Sequence, residues 1–279
     1  MNPHRVEFED AWWIDSVANL PEAPDLAVIV TPAATVPDIV EALGKKGTRA
    51  AVVISAGFHD PAIRTAVLDA ARPYLLRVIG PNCLGVLMPA AKLNASFAPR
   101  AATQGRLAFV SQSGALVTAM LDWAAERNIG FSSVISAGDM ADVDLGDLID
   151  MLAADPMTDA ILLYVEGITD APKFLSAARA ASALKPVLAI KAGRSTSTGK
   201  AAMSHTGALI GSYDAYMAAF ERAGIVTVDS LTELFDAAQL LCRSRPTTGS
   251  RVAIVSNGGG AGILAADALV PAGGTLALL

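Results

Sequence analysis

The sequence predicts an α/β protein whose parallel sheets are covered by helices on both faces. Short apolar runs rich in β-branched residues recur along the 279-residue chain, and Ala/Leu-rich stretches of helical period lie between most of them. Strands that read as continuous hydrophobic runs and alternate with amphipathic helices are typical of a doubly wound sheet. At roughly 100–200 residues per domain, this length predicts about two domains.

The elements follow one another in a regular order. The predicted strands are Leu26–Val30, Ala50–Ile54, Leu75–Ile79, Leu107–Val110, Ile161–Val165, Val187–Ile190 and Val252–Val255, and the predicted helices include Val36–Lys46, Ala115–Arg127, Ala171–Ala183, Tyr213–Ala223 and Leu231–Cys242. The first helix has the clearest limits. Pro37 suits a first helical turn, and Gly47 follows two lysines as a C-terminal glycine.

Clusters of turn-forming residues predict where the domains meet. Those near Asn94–Gly105 and Arg243–Ser250 divide the chain into residues 1–99, 100–245 and 246–279. The last part offers one strand, the helix Ala261–Leu269 and a second strand at Thr275–Leu279, which is too little to cover a sheet, so we expect a truncated domain. Segments 106–114 and 251–259 also share five residue types at an offset of 145 (251 − 106). This echo fits either two domains that open alike or the duplication of one unit.

Composition excludes several classes of protein. With 53% hydrophobic and 17% charged residues and a mean hydropathy of +0.45, the chain is not disordered. The charge-free run Leu107–Leu121 is 15 residues long and contains polar side chains, short of the ~18–20 apolar residues that a membrane span needs. A net charge of −6 without a basic run argues against nucleic-acid binding.

The N-terminus and the cysteines predict a cytoplasmic location. The first residues contain no apolar signal segment, so export is not supported. Cys83 and Cys242 lie 159 positions apart (242 − 83) and form neither a disulfide framework nor a metal motif, which suits a reducing compartment. The three histidines, His4, His59 and His205, lack the spacing of metal ligands, so no metal site is expected.

A small-residue turn lies between a predicted strand and a predicted helix. It consists of Ser111, Gln112, Ser113 and Gly114. Small residues leave the first N–H groups of the helix free to bind an anion at the positive end of the helix dipole. The turn is therefore either a phosphate-binding segment or an ordinary N-cap in which a serine satisfies those N–H groups.

His205 is a candidate phosphoryl acceptor. It lies in the segment Ser204-His-Thr-Gly207, after the cations Lys191, Arg194 and Lys200. A neutral imidazole is a capable nucleophile near pH 7, since its pKa is about 6.5. A lone histidine without a role is the competing interpretation.

Glu166 is a candidate partner for that histidine. It follows the predicted strand Ile161–Val165, and ligands of open α/β sheets bind at the carboxyl ends of strands. A carboxylate there can accept the Nδ1–H of a histidine and leave Nε2 to react. The alternative is a carboxylate at the N-terminus of the next helix. Cys83, in the turn after the third strand, is expected to be a buried structural cysteine.

Taken together, these segments resemble the NDP-forming acyl-CoA synthetases of the ADP-forming acetate–CoA ligase type, relatives of the succinyl-CoA synthetase α chain. The resemblance covers essentially the whole chain through seven motifs in order: Ile79-Gly-Pro-Asn-Cys-Leu-Gly85, Leu93-Asn-Ala-Ser-Phe-Ala-Pro99, Val110-Ser-Gln-Ser-Gly-Ala-Leu116, Gly138-Asp-Met-Ala-Asp-Val-Asp144, Tyr164-Val-Glu-Gly-Ile168, Lys191-Ala-Gly-Arg-Ser195 and Ser204-His-Thr-Gly-Ala-Leu209. It implies a Rossmann-like CoA-binding domain followed by flavodoxin-like ligase domains.

The resemblance also implies roles for individual residues. His205 matches the histidine that the family phosphorylates, Glu166 the carboxylate that orients it, and residues 111–114 the helix N-terminus that seats the phosphohistidine. Thr31, Pro32, Ser55, Gly57 and Asn82 fall where the family holds CoA. The implied substrates are CoA and a small carboxylic acid. ATP or ADP and Mg²⁺ would bind only through an ATP-grasp partner domain or subunit, and the protein is expected to form oligomers.

The sequence departs from the family in several places. The Gly-containing CoA loop that opens the first domain in the family has no counterpart here, so the first domain is expected to be N-terminally incomplete and its CoA binding weak. An incomplete first sheet would also expose an apolar edge and favour aggregation or association. Asp139 stands where the family usually has Asn. Two alternatives remain: the CoA-ligase-like regulatory region of a protein lysine acetyltransferase, and a non-catalytic CoA-binding module.

Overall fold

Three sheets organise the protein in the computed structural model, which describes residues 11, 13–194, 213–243 and 249–278. The chain divides into two compact units, residues 1–242 and 243–279. The first unit contains a three-stranded and a seven-stranded sheet, and the second contains a two-stranded sheet. None of the helices in these described ranges is long and apolar enough to cross a membrane.

The smaller sheet of the first unit is fully parallel. Its strands are β1 (Leu26–Ile29), β2 (Ala50–Val53) and β3 (Arg77–Ile79), in that spatial order, and its helices are α1 (Val36–Lys46) and α2 (Pro61–Ala71). Helix α1 begins and ends as predicted. It stops at Gly47, whose φ of +108° is the left-handed conformation that glycine adopts without strain.

Strand β3 is shorter than the predicted Leu75–Ile79, because Leu75 belongs to a turn and Leu76 lies outside the strand. Residues Arg72–Tyr74 form a 3-10 helix that ends at Leu75, whose φ of 54° is left-handed rather than extended. Other 3-10 turns lie at Val17–Asn19, Ala33–Thr35 and Pro89–Ala91.

The larger sheet has the order β10-β9-β8-β6-β7-β4-β5. Its strands are β4 (Gly85–Met88), β5 (Leu93–Ser96), β6 (Gln104–Ser111), β7 (Phe131–Ser136), β8 (Ala160–Val165), β9 (Val187–Lys191) and β10 (Val226–Thr227). All pairs among β6 to β10 are parallel, whereas β4 pairs antiparallel with both β7 and β5. The helices between its parallel strands are α3 (Gly114–Arg127), α4 (Leu145–Ala154), α5 (Ala171–Ser182) and α6 (Tyr213–Ala223), and α7 (Leu231–Arg243) follows the last strand.

Both faces of the larger sheet are covered, as predicted. Along β6, Ala108 and Val110 belong to one buried cluster, together with residues of α4 and α5. Leu107 and Phe109 belong to another, with residues of α3 and α7. A strand whose alternate side chains are buried on opposite faces must read as a continuous apolar run, which is the pattern seen in the sequence.

The change of sheet does not coincide with the predicted domain limit at residue 99. The hairpin β4–β5 lies before this limit in the chain, yet it pairs with β7 of the larger sheet. The small sheet therefore ends at β3. The limits at 99 and 245 stay predictions as domain boundaries.

The second unit is a short βαβ segment with the predicted order of elements, but its strands are shorter than the predicted Val252–Val255 and Thr275–Leu279. It contains β11 (Arg251–Val252), α8 (Gly259–Leu269) and β12 (Thr275–Leu276), with the two strands parallel. Its turn repeats that of β6–α3: the Ser256 hydroxyl accepts the N–H of Gly258 (3.1 Å), as the Ser111 hydroxyl accepts the N–H of Ser113 (3.0 Å). The echo at an offset of 145 (256 − 111) thus extends to hydrogen bonding. This similarity fits both two domains that open alike and the duplication of one unit.

Candidate functional site

The strand register brings three sequence-predicted segments to one edge of the larger sheet. Ser111, the last residue of β6, pairs with Tyr164 of β8, and Val165 of β8 pairs with Lys191, the last residue of β9. Glu166 follows β8 directly. Because β8 lies between β6 and β9, the turn at 111–114, Glu166 and Lys191 are neighbours at the carboxyl edge, where open α/β sheets bind ligands.

The turn at residues 111–114 leads into α3 without side-chain capping. Ser113 occupies the N-cap position, and its side chain makes no capping hydrogen bond. The buried Ser111 hydroxyl accepts the N–H of Ser113 and donates to its carbonyl oxygen (2.8 Å), so it stabilises the turn rather than the first helical N–H groups. The structure therefore does not support the N-cap alternative for these serines, and the phosphate-binding role stays a prediction.

The Gln112 side chain serves a purpose that sequence reasoning missed. Its Oε1 accepts the backbone N–H groups of Glu166 (2.6 Å) and Gly167 (3.1 Å). This amide oxygen is therefore occupied by the neighbouring loop, and an anion at the turn would meet backbone N–H groups. No local signal in the sequence distinguishes a glutamine with this function from any other.

Glu166 belongs to the end of β8 and not to the start of the following helix. Helix α5 is capped by Asp170, whose carboxylate accepts the N–H of Lys173 (3.0 Å). Glu166 is partly buried. Of the two alternatives for this carboxylate, the structure favours the strand-end position.

Lys191, one of the three cations that precede His205 in the sequence, is buried at the end of β9. Its side chain is only 6% exposed, its Nζ donates to the carbonyl oxygens of Glu166 (3.0 Å) and Ala192, and it lies 4.5 Å from the ring centroid of Tyr216. Burial lowers the pKa of Lys191, and the attraction of Glu166 opposes this effect. Arg194 instead forms an ion pair with Asp229 (3.0 Å), and Lys200 lies outside the described residues.

The five predicted CoA-binding residues lie at or near the carboxyl ends of the smaller sheet's strands. Thr31 and Pro32 follow β1, Ser55 and Gly57 follow β2, and Asn82 follows β3. The Ser55 hydroxyl donates to the carbonyl oxygen of Thr31 (2.5 Å), and the N–H of Asn82 donates to that of Ser55 (2.9 Å). These bonds link the three loops into one surface. The CoA-binding role of this surface stays a prediction.

Residues 136–139 connect this surface to the edge of the larger sheet. The N–H of Ala137 donates to the carbonyl oxygen of Ser111 (2.8 Å), while the Asp139 carboxylate accepts the Asn82 side-chain amide (3.2 Å). Gly138 between them has φ +58°, and a Cβ there would lie 2.2 Å from the carbonyl oxygen of Pro81. Only glycine fits this crossing. Asp139, the position that departs from the family pattern, thus contacts one of the predicted CoA-binding residues.

Two further predictions concern Cys83 and His205. Cys83 is structural, as expected: its thiol is buried, contacts the carbonyl oxygen of Val53 (3.3 Å), and has a pKa raised by burial to about 12. His205 lies outside the described residues. Within the described ranges no cluster of three or more His, Cys, Asp or Glu side chains is arranged to hold a metal ion.

Two family models match most of the chain. Residues 1–89 match a CoA-binding domain, and residues 104–241 match a succinyl-CoA ligase-like flavodoxin domain. The α subunit 1 of an ADP-forming succinate–CoA ligase from Archaeoglobus fulgidus is 32% identical over 219 residues, which cover 75% of this chain and 73% of that protein. The chain belongs to the NDP-forming acyl-CoA synthetase family.

Other members of this synthetase family are more similar but longer. The ADP-forming acetate–CoA ligase I of A. fulgidus is 46% identical, and the matched region covers 96% of this chain and 40% of that protein. The solved structure of the dinucleotide forming acetyl-coenzyme A synthetase 1 of Ca. Korarchaeum cryptofilum, in complex with phosphate and ADP, is 37% identical with a TM-score of 0.93. That match covers 99% of this chain and 61% of that one. The chain thus spans 40% of the first relative and about three fifths of the second.

Proposed function

We propose that the chain is the CoA-binding and phosphohistidine-carrying part of an NDP-forming acyl-CoA synthetase. The complete reaction converts a carboxylic acid, CoA and NTP into acyl-CoA, NDP and phosphate. The observation that carries the proposal is the contact between the turn at 111–114 and Glu166 at one sheet edge through Gln112. The names of several similar proteins also support the proposal, because they are those of ADP-forming acetate–CoA ligases.

The proposed chemistry proceeds in three displacements. In the first, Nε2 of His205 attacks the γ-phosphorus of NTP, the bond to the β-phosphate oxygen breaks, and NDP leaves. Glu166 accepts the Nδ1–H of that imidazole and keeps the reacting nitrogen unprotonated. In the second, a substrate carboxylate takes the phosphoryl group from His205. In the third, the CoA thiolate attacks the acyl carbon and phosphate leaves.

The turn at 111–114 has an electrostatic part in this proposal. The uncapped backbone N–H groups at the start of α3 and the positive end of the helix dipole stabilise the charge of the phosphorylated histidine. The CoA thiol must reach the same place. Residues 136–139 connect the proposed CoA-binding surface to this place, because Ala137 binds the Ser111 carbonyl oxygen and Asp139 binds the Asn82 side chain.

CoA is proposed to bind at the carboxyl edge of the smaller sheet, through Thr31, Pro32, Ser55, Gly57 and Asn82. The nucleotide is proposed to bind elsewhere, in an ATP-grasp domain or subunit, where Mg²⁺ would neutralise the phosphates. We further propose that the protein works in an oligomer with that partner. Its cytoplasmic location stays a prediction.

The test is phosphoryl transfer to the chain from γ-³²P-labelled Mg-ATP in the presence of an ATP-grasp subunit from a related synthetase. We expect one acid-labile, base-stable phosphate per chain. His205→Asn should abolish the label and Glu166→Gln should slow its formation. His59→Asn, which removes an exposed histidine, is the matched control and should leave labelling unchanged.

The partner subunit must first be shown to be active on another substrate chain. If the wild-type protein then takes no label, the ligase proposal is wrong. In that case the regulatory region of a lysine acetyltransferase or a non-catalytic CoA-binding module becomes the better interpretation.

A further inference from the structure

The loop at residues 166–168 is held by side chains from three other elements. Beyond the end of β8, the peptide group between Glu166 and Gly167 has its N–H bound by Gln112 Oε1 (3.1 Å) and its carbonyl oxygen bound by Lys191 Nζ (3.0 Å). The next N–H, that of Ile168, donates to the Tyr216 hydroxyl (3.4 Å). One peptide is therefore fixed from both sides by side chains that lie 55 positions from its N–H and 25 positions from its carbonyl group in the chain.

Burying a lysine in this position lowers the stability of the fold unless its ammonium group has partners. Nζ is withdrawn from solvent, and an unpaired buried ammonium is strongly unfavourable. Two carbonyl oxygens and the face of the Tyr216 ring offset that cost. An apolar side chain would fill the same space without any cost of desolvation, so hydrophobic packing does not explain the lysine.

We infer that Lys191 is a positioning residue, which fixes the Glu166–Gly167 peptide so that the Glu166 carboxylate is held in place for the phosphohistidine reaction. This inference rests on the proposed function. Lys191 acts through Glu166 and is not assigned a contact with substrate. Tyr216 stabilises both Lys191 and the loop: its ring lies against Nζ, and its hydroxyl accepts the N–H of Ile168.

The protein contains a matched control for this lysine. Lys185 lies just before the opposite end of β9, and its Nζ also donates to two backbone carbonyl oxygens, those of Leu152 (2.8 Å) and Asp155. Burial lowers the pKa of both lysines. Substituting either lysine by Met thus removes the same kind of interaction, and only Lys191→Met does so next to Glu166.

The first measurement is amide hydrogen exchange of the whole chain by NMR, which needs no catalytic activity. In Lys191→Met, the Gly167 amide should exchange at least tenfold faster, because releasing the carbonyl oxygen of this peptide also loosens its N–H from Gln112. In Lys185→Met, that amide should exchange at the wild-type rate. Lys191→Arg keeps a charged donor and should restore most of the protection, and Tyr216→Phe should accelerate exchange at Ile168.

The second measurement is the rate of phosphoryl labelling of these variants with the ATP-grasp subunit. Lys191→Met should be labelled at least tenfold more slowly with an unchanged KM for ATP, Lys191→Arg should recover part of the rate, and Lys185→Met should match the wild type. Unchanged exchange at Gly167, or faster exchange with wild-type labelling, overturns the inference. If Lys191→Met does not fold, Lys191→Arg and Tyr216→Phe decide, and wild-type behaviour of both overturns it.

The two measurements also separate this inference from the proposed function. If the wild-type chain takes no label, the proposed function fails, and the part of Lys191 in that reaction fails with it. The exchange rates still report whether Lys191 holds the loop.

Discussion

Replacing Gln112 by Met tests the contact that joins the two halves of the candidate site. Met has nearly the same length and flexibility, but it has no oxygen to accept the N–H groups of Glu166 and Gly167. Leaving a buried donor without a partner costs roughly 1–3 kcal/mol. Gly167 is buried and Glu166 is partly buried, so the two lost bonds should lower the free energy of unfolding by about 2–4 kcal/mol.

Urea unfolding at pH 7 measures this change, and Gln104→Met provides the reference. Gln104 begins the same strand, β6, but is exposed. Its substitution should change the free energy of unfolding by no more than about 0.5 kcal/mol. If Gln112→Met and Gln104→Met destabilise the protein equally, the two hydrogen bonds do not carry the stability assigned to them, and the reasoning is refuted.

Three further predictions concern other parts of the first unit. Asp142→Ala removes the acceptor of the Val78 N–H (2.8 Å). It should lower the free energy of unfolding in urea by about 1–3 kcal/mol, and a decrease no larger than that of an exposed Asp→Ala variant would contradict this. Burial raises the pKa of Asp147, but a backbone N–H and the Lys173 ammonium outweigh burial and lower it overall. The stability from Asp147 is therefore present above its unfolded pKa of 3.8 and is lost as pH falls through the lower folded pKa, so Asp147→Asn should flatten acid unfolding below pH 3.8. Finally, with a pKa of about 12 instead of 9.0, Cys83 should be alkylated on the order of 10³-fold more slowly than a free thiol at pH 8; mass spectrometry of its peptide checks this, and rapid alkylation in the native state would refute it.

Apolar runs predicted three of the seven strands of the larger sheet, β6, β8 and β9, but among the others they missed β7. This strand, Phe131–Ser136, contains three serines, and yet all six residues are buried. The Ser132 hydroxyl bonds the Thr158 hydroxyl (2.7 Å), and the Ser136 hydroxyl accepts the N–H of Leu84 (2.9 Å). The partners of Ser132 and Ser136 are distant in sequence, whereas the buried Ser133 hydroxyl has no hydrogen-bond partner in the described part of the chain. Serines interrupt the apolar residues Phe131, Val134 and Ile135, so a search for continuous apolar runs predicts no strand here.

The hairpin β4–β5 was missed for a related reason. Gly85 begins β4 at φ +119°, and its antiparallel pairing with β7 joins residues such as Val86 and Ile135. The pattern of parallel strands and crossover helices that predicts β6, β8 and β9 contains no antiparallel edge. The pairing partner of such a strand is a tertiary property.

The candidate site shows the same division between local and tertiary information. The positions of Ser111 and Glu166 at strand ends follow from the length of the apolar runs before them, and the structure places both there. What brings them together is the register of three parallel strands, Ser111 beside Tyr164 and Val165 beside Lys191. One residue past each pair, the N–H groups of Gln112 and Ala192 still donate to β8, but the backbone groups of Glu166 have side chains as partners. Gln112 follows Ser111 directly, and Lys191 pairs with Val165, the residue before Glu166. This register therefore places a hydrogen-bond acceptor on one side of the loop at Glu166 and a hydrogen-bond donor on the other. Because the side chains of a strand alternate between faces, a shift of one residue in either pair would turn one of them away. The backbone of Glu166 is therefore held by side chains, and the sheet register determines which side chains they are.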